Sequence, residues 1–213
     1  MARGSREENI RQIIDMEDRI TRCVRCKALI KCVRKPSLGK GELDPELVMI
    51  FEYDNHFTRD VNNLIGLRNM IKRELNLDRI YHTFITRCQP KACVTRNNIS
   101  CYTDTRLLDK DNRCLLNGRD CEGIPVRPAD EEIIACLPFL LEELAILSPA
   151  YMLLFGSRVA DYMLKSWGIF DIEEDRIMYT INDTCIILAP DGEQFTDGYC
   201  QQISQQIRNS ASI

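Results

Sequence analysis

Four compact apolar runs, separated by stretches of helical periodicity, constrain this chain more than any other feature. They are Glu46–Phe51, Ile80–Ile85, Ala150–Phe155 and Thr184–Leu188. Short apolar runs without alternation are what a strand buried on both faces shows. Between them lie helical patterns: Val61, Leu64, Ile65, Ile71 and Leu75, then Asp130–Leu147, then Ser157–Trp167. A further amphipathic segment, Phe195–Ile207, follows the last run. Near the start, Ser5-Arg-Glu-Glu8 has the spacing of a capping box and precedes a stripe of Ile10, Ile13, Ile14 and Ile20. Strands alternating with helices predict an α/β fold, a three-layer sandwich with a central, mostly parallel four-stranded sheet. Val33–Pro45, with Pro36, Gly39 and Gly41, reads as a loop. Residues 89–126 break the rhythm and read as a cysteine-rich insert in one domain spanning residues 1–213.

Ligands on such sheets bind beyond the carboxyl ends of the strands. Those ends carry Phe51–Asn55, Arg87-Cys88-Gln89, Gly156-Ser157-Arg158 and Ala189-Pro190-Asp191. Four of the eleven cysteines fall at telling places. Cys23 and Cys26 form a CxxC, Cys88 closes the second run, and Cys136 sits in the helix that follows Arg127-Pro128-Ala129. A core does not need thiols at the ends of separate elements, whereas a [4Fe–4S] cluster is held by cysteine sulfur. The competing reading is four scattered core thiols, which are commonly buried. In the insert, Cys93, Cys101, Cys114 and Cys121 match the donor count of a Cys₄ zinc site, a staple for a segment without its own core. They lack the CxxC knuckle of zinc ribbons, so unligated thiols are the alternative. Cys32, Cys185 and Cys200 read as structural or incidental.

Bulk properties exclude several classes. Met1–Glu8 has no apolar stretch of a signal peptide, and no apolar run approaches the roughly 18 residues of a membrane span. With 213 residues and 45% hydrophobic content, the chain needs no disulfide staples, so the expected setting is reducing and cytoplasmic. A net charge of −4 means that any nucleic-acid contact must be local. Arg22, Arg25, Lys27, Lys31, Arg34, Lys35 and Lys40 surround the CxxC, and Arg87, Lys91 and Arg96 flank Cys88. Meeting at one cluster, these would form a single phosphate patch, with Arg25, Lys27, Lys31, Arg34 and Arg87 as its contacts. A solvated positive face is the plainer reading. Glu52 and Asp54 follow the first run, where a carboxylate can activate water, or where two loop acids are simply solvated. Ile203 and Ile207 face either the protein's own core or a protein partner.

The CxxC, followed by a strand ending in Cys88-Gln89-Pro90, resembles the Cys-Arg-Pro-Pro element of the family 4 uracil-DNA glycosylases. Arg127–Leu140 looks like that family's segment carrying the last cluster ligand, and Pro149–Gly156 is similar to its next strand and glycine. The resemblance runs from about Cys23 to Pro190 outside the insert. It implies the glycosylase-like sandwich, a [4Fe–4S] cluster on Cys23, Cys26, Cys88 and Cys136, and a role with DNA in repair. Cys121 is a rival to Cys88, since its spacing to Cys136 is close to the family's.

The family's catalytic motifs are lost. Its Gly-Glu-Ala-Pro-Gly loop corresponds to Phe51-Glu52-Tyr53-Asp54-Asn55, where only Glu52 survives and both glycines of the tight turn are gone. The asparagine that reads the uracil edge aligns with Phe84, which offers neither donor nor acceptor. The His-Pro-Ser motif falls on Ala189-Pro190-Asp191. The expectation is a nucleic-acid-binding iron–sulfur protein without ordinary uracil excision. Two alternatives stand beside it: a glycosylase of altered base specificity, a hydrolase in which Glu52 or Asp54 orients water, and a non-catalytic subunit of a larger complex. Phe84 and Tyr53 either stack on a base or fill the old pocket.

Overall fold

The computed structural model describes residues 6–26, 36–88, 91–92, 113, 124–125, 127–173 and 175–210. Helix α1 (Arg6–Thr21) leads to β1 (Lys40–Gly41), β2 (Leu47–Phe51), the one-turn α2 (His56–Arg59), α3 (Val61–Leu75) and β3 (Ile80–Phe84). Two strands of the insert, β4 (Lys91–Ala92) and β5 (Ile124–Pro125), pair with each other. Then come α4 (Asp130–Leu147), β6 (Tyr151–Phe155), α5 (Ser157–Ser166), β7 (Met178–Ile181), β8 (Thr184–Ala189), a 3₁₀ turn at Gly192–Gln194, and α6 (Asp197–Ser210).

The main sheet has six strands in the order β1-β3-β2-β6-β8-β7 and is mixed. This corrects the expectation of four strands, mostly parallel. The four expected strands make the parallel centre, β3-β2-β6-β8, while β1 and β7 run antiparallel at the two edges. Both edges escaped for physical reasons. Strand β1 is two residues long, inside the segment expected to be loop, and two residues carry no periodicity. Strand β7 is the first arm of a hairpin closed by Asn182 and Asp183, both at positive φ (46° and 66°). Positive φ at both central residues is the requirement of a type I′ turn, which asparagine and aspartate tolerate.

Helices cover both faces, which is why every residue of β2 and β3 is buried. On one side, Ile13, Met16 and Ile20 of α1 pack with Ile133, Leu140 and Leu144 of α4 and Met163 of α5, against Val48, Ile50 and Leu154. On the other, Leu67 and Ile71 of α3 and Ile203 of α6 pack against Phe51, Phe84 and Phe155. Each such side chain contributes about 2 kcal/mol on removal from water. Ile203 thus belongs to the protein's own core, with Ile207 packed beside it. The α1 stripe is set differently from expectation: Ile14 is exposed, and Met16 takes its place inside. Val61 and Ile65 of α3 also face outward.

The α4 helix opens with Asp130, Glu131 and Glu132, whose charges suit the positive N-terminal end, and closes at Ser148 in the left-handed region (φ 43°). The register keeps the strand ends level, with Phe51 opposite Phe84 and Phe155 opposite Ala189. Strand order reverses between β2 and β6, which makes the gap beyond those two strands the topological switch point of the sheet. No helix among the described residues is long and apolar enough to cross a membrane.

Candidate metal centre and the strand-end cleft

Three elements bring the four cysteines to one place. Cys23 and Cys26 follow the end of α1, Cys88 lies just past β3, and Cys136 sits near the start of α4. The α1 helix packs along α4. The backbone N–H of Arg87 donates to Cys136 Sγ at 3.3 Å, tying the strand end to the helix. Arg25 donates to the Ala135 carbonyl at 3.1 Å, and its guanidinium lies 4.3 Å from the centre of the Phe139 ring, which pins the CxxC segment onto α4. Every pair among the four thiols senses the other's charge. Burial first, then the neighbouring thiols, pushes Cys88 up to about 12 and Cys26 up to about 11. Burial also raises Cys136, against the Arg87 N–H and guanidinium, which favour its thiolate.

Among the described residues, no three histidine, cysteine, aspartate or glutamate side chains are grouped to hold a metal ion. Cys93, Cys101, Cys114 and Cys121, the expected zinc donors, lie outside the described residues, as does the rivalry between Cys121 and Cys88. Lys27, Lys31 and Arg34 lie outside them too.

Of the expected phosphate contacts, Arg25 is exposed, with its guanidinium engaged by the Ala135 carbonyl and the Phe139 ring. Arg87 is a correction. Its side chain is 1% exposed and pairs with Glu143, also 1% exposed, so it cannot reach a phosphate. Tyr81 Oη and Thr83 Oγ1 donate to the same carboxylate at 2.9 and 2.5 Å. Burial opposes the charge on Arg87, but the Glu143 carboxylate beside it outweighs burial and holds the guanidinium ionised. Its Nε and Nη1 have no partner among the described residues.

Glu52 sits at the switch point, and its two oxygens are engaged. Arg127 donates to it through Nε (3.0 and 2.8 Å) and Nη2 (2.7 Å), and Arg158 through Nη1 at 2.6 Å. Arg158 also donates to the Pro128 carbonyl at 2.7 Å and pairs with Asp130. Gly156, at φ 92°, lets β6 turn into α5 here, and a Cβ on it would stand 2.5 Å from Asp191 Oδ1. Arg127, Gly156, Arg158 and Pro190 line a cleft of about 750 Å³. The two arginines were missed as site residues, although each occupies a signalled place: Arg158 follows a strand end and Arg127 opens the segment leading into α4.

Asp54 is likewise committed, accepting from Ser37 Oγ at 3.0 Å, Thr58 Oγ1 at 2.9 Å and Arg59 Nε at 3.5 Å. Asn55 caps α2 by accepting from the Thr58 N–H. Phe84 is 3% exposed, its ring 6.3 Å from that of Phe51, which stacks on Phe155 at 4.5 Å. It fills space. Tyr53 is half-buried beside Glu52, and burial raises its hydroxyl pKa, with the Glu52 charge acting in the same direction. Comparison of the sequence with models of known protein families and with curated proteins finds no match to either.

Proposed function

We propose that this chain is an iron–sulfur protein that binds nucleic acid, a three-layer, single-domain relative of the uracil-DNA glycosylases that lacks ordinary uracil excision. The observation that carries this reading is the convergence of Cys23, Cys26, Cys88 and Cys136 from three elements. Those four would hold the cluster, and its contribution is structural: metal binding to a site that the unfolded chain lacks is folding free energy. It would fasten the CxxC segment to α4 and β3, and the phosphate contacts expected of this region are Arg25 with Lys27, Lys31 and Arg34. A reducing, cytoplasmic setting keeps the thiols free for metal.

Loss of excision is supported by Phe84, buried among aromatic rings where the family has its asparagine. It is also supported by Glu52, whose acceptor sites are taken by two guanidinium groups. The same engagement weighs against Glu52 as a general base in a glycosylase of altered specificity, and Asp54 is held by two hydroxyls and Arg59.

The test is iron, acid-labile sulfide and zinc content of protein purified without oxygen, followed by DNA affinity as a function of salt. About four irons and four sulfides per chain are expected. Cys136→Ala should lose iron, stability and DNA binding together. Zinc without iron, or a Cys136→Ala protein that stays folded with its iron, refutes the assignment. An abasic product from any damaged-base substrate would restore the enzymatic alternative.

A further inference from the structure

Arg87 stands between two of the four cysteines. Its chain neighbour is Cys88, and its backbone N–H donates to Cys136 Sγ at 3.3 Å, from the strand end to α4. Its carbonyl accepts from the Ser37 N–H at 2.8 Å, so the backbone is held on both sides of the Cα. The side chain is 1% exposed and held by Glu143. Main chain and side chain are therefore both fixed at the cysteine end of the sheet.

The buried pair is lopsided. The Glu143 carboxylate accepts from Tyr81 Oη, Thr83 Oγ1 and Arg87 Nη2, so its charge is shared among three donors. A guanidinium carries several N–H donors and no acceptor. Among the described residues that of Arg87 is met by Glu143 through Nη2, while Nε and Nη1 are buried without an acceptor. A surplus of buried donors costs a folded chain stability unless something accepts from them. Thiolate sulfur is an acceptor, and Arg87 and Cys136 sense each other's charge. The surplus thus suits an anionic group held on these cysteines. A [4Fe–4S] centre is one, because four thiolates outweigh the positive charge of its core.

We infer that Arg87 tunes the cysteine centre: its backbone N–H and its buried guanidinium stabilise negative charge there and so raise the reduction potential of the cluster. Hydrogen bonds to sulfur and local net charge are two of the levers by which a protein sets that potential. Arg87 supplies both from one residue. Glu143 is then a positioning residue, which keeps the guanidinium ionised where water does not reach. The inference rests on the proposed function, since it needs the cluster that Cys23, Cys26, Cys88 and Cys136 would hold.

The test is anaerobic electrode titration of the iron-loaded full chain with soluble mediators, alongside its iron and sulfide content. Arg87→Gln should lower the potential by the equivalent of roughly tenfold or more in the reduction equilibrium, about 59 mV for one electron. Glu143→Gln, which leaves the cation unopposed, should raise it, and Arg87→Lys should stay closest to native. A merely structural pair does not give shifts of opposite sign: its variants lose iron, and the cluster that remains keeps the native potential. That result overturns the inference. A second measurement needs no change at the pair. In the chain with isotopically labelled arginine nitrogen, pulsed electron resonance of the reduced cluster should show a coupling to arginine that survives Arg25→Lys, a change at an exposed side chain. Absence of that coupling also overturns the inference, even where the Arg87 variants fail to fold. Native protein without iron fails the proposed function and this inference with it. Iron-loaded protein whose potential ignores Arg87 fails this inference alone.

Discussion

At the end of β3, Arg87 and Glu143 form an ion pair in which both side chains are 1% exposed. At the end of the adjacent β2, Glu52 is 12% exposed and holds Arg127 and Arg158, at 58% and 21%. The two clusters use the same groups at similar distances, one strand apart. Water separates them. Away from solvent, a guanidinium and a carboxylate must satisfy each other, because either alone would be a buried charge. At the cleft, Arg127, the exposed partner, can leave the carboxylate for another anion at little cost, while Arg158 stays tied to the Pro128 carbonyl and Asp130. Burial therefore makes the first cluster part of the architecture under the cysteine end, while the arginines of the second line a cleft at the strand ends.

The largest effect expected from this contrast is on the buried side. Glu143→Ala strands the charge of Arg87 and the hydroxyls of Tyr81 and Thr83, and should cost roughly 3–5 kcal/mol in urea unfolding. Removing both charges together, as Arg87→Met with Glu143→Leu, should cost less than the single change, since no buried charge is left over. A single change costing under about 1 kcal/mol would mean that water reaches the pair, and the contrast with Glu52 would collapse.

Next in size is the pH response of His82. An ordinary histidine titrates near 6.5; burial, then Arg68 and Lys40, pushes this one down to about 4. Between those values the unfolded chain takes up a proton that the folded chain refuses. Stability is therefore full above about 6.5 and falls as pH drops toward 4, by at most about 3 kcal/mol. His82→Leu should flatten that part of the curve. An unchanged slope in the variant would show that His82 is solvated.

How far these sites were legible follows from what local sequence can carry. The four central strands announce themselves because burial on both faces makes every position apolar, as in Leu47–Phe51. That Cys23, Cys26, Cys88 and Cys136 lie near the ends of three elements was legible from the strand and helix pattern around them. The role of Arg87 was not. Beside Cys88 it reads as one more surface cation, and its partner Glu143 lies 56 positions away on α4. Val61 and Ile65 fit a helical stripe, yet the true inner face is Leu67 and Ile71, a rotation that only the packing of α3 on the sheet decides. Glu52 reads from sequence as a candidate base or a solvated loop acid, because its two arginines come from the entries to α4 and α5, remote in the chain.

The smallest effect is on the open side, and it is the most discriminating. Glu52→Gln removes one charge from a network that is open only on the Arg127 side and should change stability by less than the Glu143 substitution does. The same substitution releases Arg127 and Arg158 from their carboxylate. Affinity for single-stranded DNA should then rise by a few-fold at low salt and converge with the native value as ionic strength increases, because screening removes what the freed cations add. A general base at this position predicts the opposite pattern, with DNA affinity unchanged and any base-excision activity abolished. The two outcomes are read in the same pair of assays, so one conservative substitution distinguishes a carboxylate that holds arginines in place from one that acts on water.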